Sequence, residues 1–194
     1  MKIDKASGLL EQSEFIESPN FDDRPQGQEV SLLVVHGISL PAGKYGGPWI
    51  SQLFTNCLSA DDHDDFADIC DLHVSSHFLI RRDGSVIQYV PVHHRAWHAG
   101  VSCFEQQHAC NDYSVGIELE GTDDEPYTSE QYDQLIELAA AVMDIYPSIT
   151  LPRIVGHADI APGRKTDPGE SFDWQQLRKK LSFKLASLNQ VDNT

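Results

Sequence analysis

The sequence predicts a single α/β domain in which helices cover a central mixed β-sheet. A chain of 194 residues has the usual size of one domain. Short apolar or alternating runs, typical of strands, are interspersed with segments of helical periodicity. Two of the strand-like runs flank Asp83-Gly84, which is a hairpin signal, so the sheet cannot be purely parallel.

The first half of the chain is predicted to contain an irregular segment, a strand, a helix and the hairpin. Residues 1–30 are polar and rich in turn residues, and we expect them to wrap over the surface. The apolar run Leu32–Val35 is typical of a buried strand that delivers His36 at its end. Pro48 is predicted at the first position of a helix. The apolar residues of that helix have helical spacing: Ile50, Leu53, Phe54, Cys57 and Leu58.

The strand predicted over residues 113–120 alternates between apolar and polar side chains. Val115, Ile117 and Leu119 lie on one face. Glu118 and Glu120 lie on the other face, which would ordinarily meet solvent.

Two further helices and a short strand complete the predicted domain. Thr128 and Gln131 fit a capping box ahead of an apolar stripe that lasts until Pro147. A short strand, Ile154-Val155, leads to Gly156-His157. The last helix is expected after Ser171, and residues from about 189 to 194 are expected to fray. The buried side of this helix is predicted to hold Trp174, Leu177, Leu181, Leu185 and Leu188.

The charge of the chain argues against nucleic acid and membranes as partners. Fourteen basic and 30 acidic residues leave a formal net charge of −16, which repels both at long range. The chain has no run near the ~18 apolar residues of a membrane helix, and its first residues lack the apolar core of a signal peptide. We therefore expect a cytoplasmic protein. In that reducing compartment its four cysteines are expected to be free thiols. We also expect a monomer.

Two of the nine histidines are placed where a metal site could form. His36 and His157 both follow apolar strands, so both could reach the same edge of one sheet. The loop after His157 contains two prolines and two glycines, which could turn it and bring Asp167 back beside His157. Two imidazoles and one carboxylate form a three-ligand zinc site with one open position.

From the residues alone this set is one candidate among several. His36 could instead be a buried histidine bonded to backbone, Asp167 a cap, and Glu118 and Lys165 solvated side chains. A weaker metal candidate, whose spacing matches no recurrent zinc pattern, consists of His98, Cys103, His108 and Cys110.

Four stretches, which together run from about residue 18 to residue 180, carry a resemblance to a known family. The stretches are SLLVVHGISLPAGKYGGPWI, HFLIRRDGSVIQYVPVHHRAWHAGVS, CNDYSVGIELEGTD and GHADIAPGRKTDPGESFDW. In this order they resemble the N-acetylmuramoyl-L-alanine amidases, and in particular the AmpD-type branch of the amidase-2 and peptidoglycan-recognition superfamily.

The resemblance implies one zinc ion per chain, held by His36, His157 and Asp167. It also implies that Glu118 is the general base and that Lys165 stabilises the transition state. The implied reaction is hydrolysis of the amide between 1,6-anhydro-N-acetylmuramic acid and L-alanine of muropeptides, during peptidoglycan recycling in the cytoplasm. In many Gram-negative bacteria this activity also lowers the muropeptide signal that induces β-lactamase.

The residues expected to contact the muropeptide include three departures from the family pattern. Tyr45 and Trp97 are candidate walls for sugar or peptide, with core packing an equal alternative for Trp97. The candidate cations for the stem carboxylates are Arg81, Arg82, Arg95 and Arg164. Gly37 stands where an Asn is common, and His73 and Ala109 stand where relatives tend to carry Arg. These departures concern substrate affinity and leave the reaction class unchanged.

Two other classes of function compete with the amidase. A binding module that recognises peptidoglycan without cutting it typically lacks a zinc ligand, whereas all three are present here. An acidic metal-buffering or scaffold protein would bind several weak metal equivalents and hydrolyse nothing.

Overall fold

The computed structural model describes residues 1–191, and residues 192–194 lie outside the described part of the chain. The final helix extends to Val191, so the tail predicted from about 189 falls partly in this helix and partly outside the described residues. The strands are β1 (Glu14–Phe15), β2 (Phe21–Asp22), β3 (Leu32–Ile38), β4 (Phe78–Ile80), β5 (Val86–Gln88), β6 (Arg95–Ala96), β7 (Cys103–Phe104), β8 (Gln107–His108), β9 (Ser114–Glu120) and β10 (Ile154–Gly156). The helices are α1 (Trp49–Phe54), α2 (Ser129–Ile145), α3 (His157–Ile160) and α4 (Trp174–Val191).

Six strands form one mixed sheet in the order β1-β5-β4-β9-β3-β10. The β4–β5 pair is the predicted antiparallel hairpin around Asp83-Gly84, and the other neighbours run parallel. Strands β3 and β9 pair over all seven residues at the centre of the sheet. The prediction of a mixed sheet covered by helices is confirmed.

One face of the sheet packs against α2 and α4. Alternate residues of β3, β4 and β9 point to this face and join the apolar stripe of α2 in one core. The predicted capping box begins α2: the Thr128 hydroxyl accepts from the Gln131 backbone N–H, and the Gln131 side chain accepts from the Thr128 N–H. The capping box sets where α2 begins, and the shared core holds α2 on the sheet face opposite the candidate site.

The other face of the sheet carries the polar residues and is buried as well. Glu118 is 7% exposed and Glu120 is 2% exposed, so the expectation that this face of β9 meets solvent is wrong. Helix α1 covers this face beside Leu79 and Ile87, and the irregular chain that follows β5 covers it beside Leu32 and Val34. This covered polar face contains the candidate active site.

Four details of the predicted elements are also wrong. Pro48 is the N-cap of α1, one position before its first residue, Trp49. Helix α1 ends at Phe54, and Asn56, with φ 58°, turns the chain so that Cys57 lies outside the helix and is exposed. His36 lies within β3, which continues to Ile38. Leu188 is 43% exposed, because the sheet core reaches only the first part of α4.

The first 30 residues contribute two short strands, which pair with different parts of the domain. Strand β1 pairs with β5, and β2 pairs with β6. The buried guanidinium of Arg24 donates to four backbone carbonyls, including those of Asn111 and Ser114. Among the described residues, no helix is long and apolar enough to cross a membrane.

Candidate active site

His36 and His157 come together because their strands are parallel neighbours. Val35 of β3 pairs in register with Gly156 of β10, so the residues that follow them, His36 and His157, lie side by side where β10 ends. His157 is the first residue of α3, and both histidines are buried. Asp167 returns on the following loop, where its backbone carbonyl accepts from the Ala158 N–H at 2.9 Å.

The three side chains present their donor atoms to one point. The Nδ1 atoms of His36 and His157 lie 3.0 Å apart, and Asp167 Oδ2 lies 3.2 and 3.1 Å from them respectively. Ligands about 2.0–2.1 Å from a tetrahedral zinc ion lie about 3.3 Å from one another, close to these values. Three lone-pair-bearing atoms this close repel unless positive charge lies between them, so the donor set fits a metal ion.

The buried setting favours the protonation states that a metal requires. Burial lowers the pKa of His36 to about 4, so its imidazole is neutral at pH 7. Burial alone would raise the pKa of the Asp167 carboxyl. Its contacts with His157 and His36 outweigh that effect and hold the pKa well below its usual range. The site therefore offers a neutral His36 imidazole and an ionised Asp167 carboxylate, with the His157 ring beside them.

Glu118 lies beside this group on the neighbouring strand. It pairs in register with His36 between β9 and β3, and its side chain points to the same face of the sheet. Burial raises the pKa of Glu118 well above its usual value, the nearby Asp167 raises it further, and Lys165 opposes the shift. A carboxyl whose pKa is raised towards neutrality can both accept and return a proton.

The five predicted catalytic and metal residues line one pocket of about 200 Å³. An apolar wall, formed by Ile38, Leu53, Phe54 and Val74, stands on one side. A larger open depression of about 790 Å³ lies beside the N-terminal residues, and none of the predicted site residues line it. The alternative metal set of His98, Cys103, His108 and Cys110 is not brought together within residues 1–191.

Trp97 is the predicted substrate wall that lines the pocket. Its indole N–H donates to Asp22 Oδ1 at 3.2 Å, so a residue of the N-terminal segment orients it. Asp22 also binds Arg95 through two hydrogen bonds, at 2.6 and 2.5 Å, and Asp112 takes a third at 2.7 Å. No sequence pattern pointed to Asp22, because β2 is two residues long.

The other predicted substrate residues lie in different surroundings. The Tyr45 hydroxyl donates to Glu125 at 2.8 Å, and Tyr45 is not among the residues that line the pocket. His73 is exposed between two residues that do line it. Gly37 lines the pocket, and a Cβ at that position would collide with the Tyr127 hydroxyl.

The arginines near the site donate to the protein itself. Arg164 donates to the carbonyls of Ala99 and Val101 at 2.6 and 2.8 Å. Arg81 bonds the Gly47 carbonyl at 3.0 Å, and Arg82 bonds that of Pro126 at 2.9 Å. With Arg95 held by two aspartates, all four arginines predicted to receive the stem carboxylates have partners within the protein.

Two further residues lie around the metal donors: Asn111, which the sequence analysis does not single out, and His98, which it names only as a member of the weaker metal candidate. Asn111 Oδ1 accepts from the backbone N–H groups of His98 and Ala99, and the Ala99 carbonyl lies 3.2 Å from His157 Nε2. His98 Nδ1 lies 2.9 Å from His36 Nε2. A sequence signal for the observed place of His98 is the isolated glycine Gly116 inside a buried strand, since such a glycine marks a close approach of another group.

A buried His-His-Asp donor group with a buried glutamate beside it, at the edge of a mixed sheet, is the arrangement of a metal-dependent hydrolase. The family description "N-acetylmuramoyl-L-alanine amidase", amidase-2, matches residues 26–170. The chain belongs to this family.

Relatives named 1,6-anhydro-N-acetylmuramyl-L-alanine amidase AmpD match over almost their whole length. The protein of Escherichia coli is 52% identical over 175 residues, which cover 90% of this chain and 95% of the relative. The protein of Haemophilus influenzae is 49% identical over 173 residues, which cover 89% and 94%. A crystal structure of selenomethionine AmpD is 51% identical and superposes with a TM-score of 0.89, covering 92% of this chain and 98% of its own.

A more distant solved structure was determined with a substrate. The N-acetylmuramyl-L-alanine amidase AmiD of Escherichia coli, in complex with anhydro-N-acetylmuramic acid-L-Ala-D-γ-Glu-L-Lys, is 31% identical. It superposes with a TM-score of 0.58 and covers 80% of this chain and 60% of its own.

Proposed function

We propose that this protein is a zinc-dependent amidase that binds one zinc ion per chain. It hydrolyses the amide between 1,6-anhydro-N-acetylmuramic acid and L-alanine of muropeptides. Support for the substrate comes from the AmpD relatives, about half identical over nine-tenths of the chain. The resemblance to the recycling branch supports a cytoplasmic location, and we propose that the protein acts there as a monomer.

The observation that supports this function most directly is the convergence of two histidine Nδ1 atoms and one aspartate oxygen within 3.2 Å of one another, beside a buried glutamate. A module that only binds peptidoglycan needs neither a complete donor set nor a proton acceptor next to it. The amidase accounts for both features.

Each residue then has one task in the reaction. Zinc, when bound by His36, His157 and Asp167, supplies Lewis-acid chemistry: it polarises the amide carbonyl and lowers the pKa of a water. Glu118 accepts a proton from the attacking water and returns it to the nitrogen of the departing L-alanine. The Lys165 ammonium stabilises the negative charge that develops on the carbonyl oxygen. The indole of Trp97, held by Asp22, forms one wall for the substrate.

Metal analysis followed by a hydrolysis assay tests this function. The purified protein is expected to hold one zinc equivalent and to release a free stem peptide with an N-terminal L-alanine from an anhydro-muropeptide, as identified by mass spectrometry. Binding of the muropeptide without cleavage would favour the binding module. Several weak metal equivalents without cleavage would favour the metal-buffering protein.

A further inference from the structure

His98 is a buried imidazole that touches a metal donor without being one. Its Nδ1 atom lies 2.9 Å from His36 Nε2, and its Nε2 atom lies 3.1 Å from the Ser114 hydroxyl. The ring meets that of His36 edge to face, with centroids 5.0 Å apart. Three polar groups therefore form a continuous line from the donor set into the sheet.

Gly116 makes room for this line. A Cβ at Gly116 would lie 2.6, 2.7 and 2.8 Å from three atoms of the His98 ring. The φ of Gly116 is not positive, so the backbone there accepts any L-residue and space alone requires glycine. A glycine in the middle of a buried central strand weakens that strand, so its presence needs a reason such as this close approach.

The hydrogen bonds along the line agree in direction. A neutral imidazole holds one N–H and one lone pair, and His98 has one polar neighbour at each ring nitrogen. If that proton is on Nε2, it is donated to Ser114, and Nδ1 accepts from the Nε2–H of His36. His36 then keeps its Nδ1 lone pair free, which is the tautomer that a metal requires.

We propose that His98 is a positioning residue, which fixes the tautomer and ring orientation of His36 so that Nδ1 faces the metal. The inference rests on the metal site proposed above. His157 has the corresponding partner in the Ala99 carbonyl, 3.2 Å from its Nε2. Each histidine donor thus has its second nitrogen held, one by a backbone oxygen and one by a second imidazole.

The experiment measures the zinc dissociation constant by competition with a chromogenic chelator at neutral pH. Urea unfolding of the metal-free proteins is measured in parallel as the check on folding. His98→Leu is expected to bind zinc about 10–100-fold more weakly, the usual loss when such a partner is removed. His98→Asn, whose Oδ1 can accept the His36 proton from nearly the same place, is expected to stay within a few-fold of the wild type. Gly116→Ala keeps every donor but displaces the ring, and is expected to weaken zinc binding.

His93→Leu is the matched control. His93 contacts the Tyr146 hydroxyl at 2.8 Å and the Lys5 carbonyl at 3.0 Å, far from the donors, so its loss should change stability and leave zinc affinity unaltered.

The outcomes separate this inference from the proposed function. If the wild type binds one zinc ion tightly and His98→Leu binds it equally well, His98 only fills space and the inference is overturned while the function stands. Equal weakening in His98→Asn and His98→Leu would also overturn it, because the position of the acceptor would then not matter. If His98→Leu does not fold, His98→Asn and Gly116→Ala decide: wild-type affinity in Gly116→Ala overturns the inference. A wild type that binds no zinc overturns both.

Discussion

Replacement of Glu118 by glutamine is expected to change activity and stability in opposite directions. The three metal donors belong to other residues, so Glu118→Gln should keep its zinc. Loss of a general acid/base commonly lowers the rate about 10²–10⁴-fold, or about 2.7–5.4 kcal/mol in the barrier. In the metal-free protein, however, the same change removes a carboxylate that is 7% exposed and whose charged form is disfavoured by burial and by Asp167. The charged form of the Glu118 carboxyl therefore lowers the free energy of unfolding, and its removal should raise it.

The pH dependence of stability follows from the direction of the shift. The pKa of Glu118 is higher in the folded than in the unfolded protein, so the folded state is penalised when the carboxyl ionises. The penalty is absent below the unfolded pKa of about 4.3 and grows as pH rises to the folded value. Metal-free Glu118→Gln should therefore match the wild type near pH 4 and exceed it at higher pH, by roughly 0.5–2 kcal/mol. Urea unfolding in EDTA at several pH values measures this difference.

Glu120 provides the matched control on the same strand. Its carboxylate accepts from the backbone N–H groups of Gly46 and Arg82, at 2.7 and 3.2 Å, and from Arg81 at 3.4 Å. Both carboxylate oxygens of Glu120 accept hydrogen bonds, and glutamine replaces one of them with an NH2 group that cannot accept, so Glu120→Gln should lose about 1–3 kcal/mol of stability. Equal unfolding free energies for Glu118→Gln and wild type at all pH values would refute the argument from burial. Loss of zinc in Glu118→Gln would make Glu118 a ligand, and normal turnover would remove it from the mechanism.

The remaining predictions concern the metal, the ammonium group and the substrate's charge. Asp167→Ala should bind zinc weakly and lose hydrolysis, whereas Asp71→Ala, which removes an exposed carboxylate, should change neither; a full zinc equivalent with normal turnover in Asp167→Ala would show that the donor set is misassigned. Lys165→Ala should lower kcat more than it raises KM, because its charge is proposed to act on the developing oxyanion. Lys179→Ala is the surface control. An unchanged kcat with a raised KM would make Lys165 a binding residue. Ala109→Arg should lower KM for stem peptides rich in carboxylates, less so in high salt; identical KM values at two ionic strengths would show that position 109 does not touch the peptide.

The elements with strong local signals are those that the sequence predicts well. The hairpin follows from Asp83-Gly84, and α2 follows from its capping box and apolar stripe. The polar face of β9 was assigned to solvent because alternation shows which residues share a face and not what covers it. Here the cover is the short helix α1 together with irregular chain, and the sequence of neither segment shows which face of the sheet it packs against.

The sequence predicts the metal donors only in part, because their convergence in space depends on contacts between segments that are distant in the chain. Strand placement accounts for His36 and His157, but Asp167 reaches them through the path of a loop. Asp22 acts from 75 positions before Trp97 and has no local pattern at all. The family resemblance is what singles out this set of residues among the alternatives.

Because β10 leads directly into a proposed metal donor, metal binding is expected to stabilise the edge of the sheet that β10 forms. β10 is a three-residue strand at the edge of the sheet, it pairs only with β3 among residues 1–191, and it leads directly into His157. A zinc ion held by His36 and His157, as proposed above, would hold this edge to the centre of the sheet. At a free concentration a thousand times its dissociation constant, it adds about 4 kcal/mol to the cost of opening. Amide hydrogen exchange in β10 and α3 should therefore follow zinc occupancy, while β9, between two neighbours, stays protected.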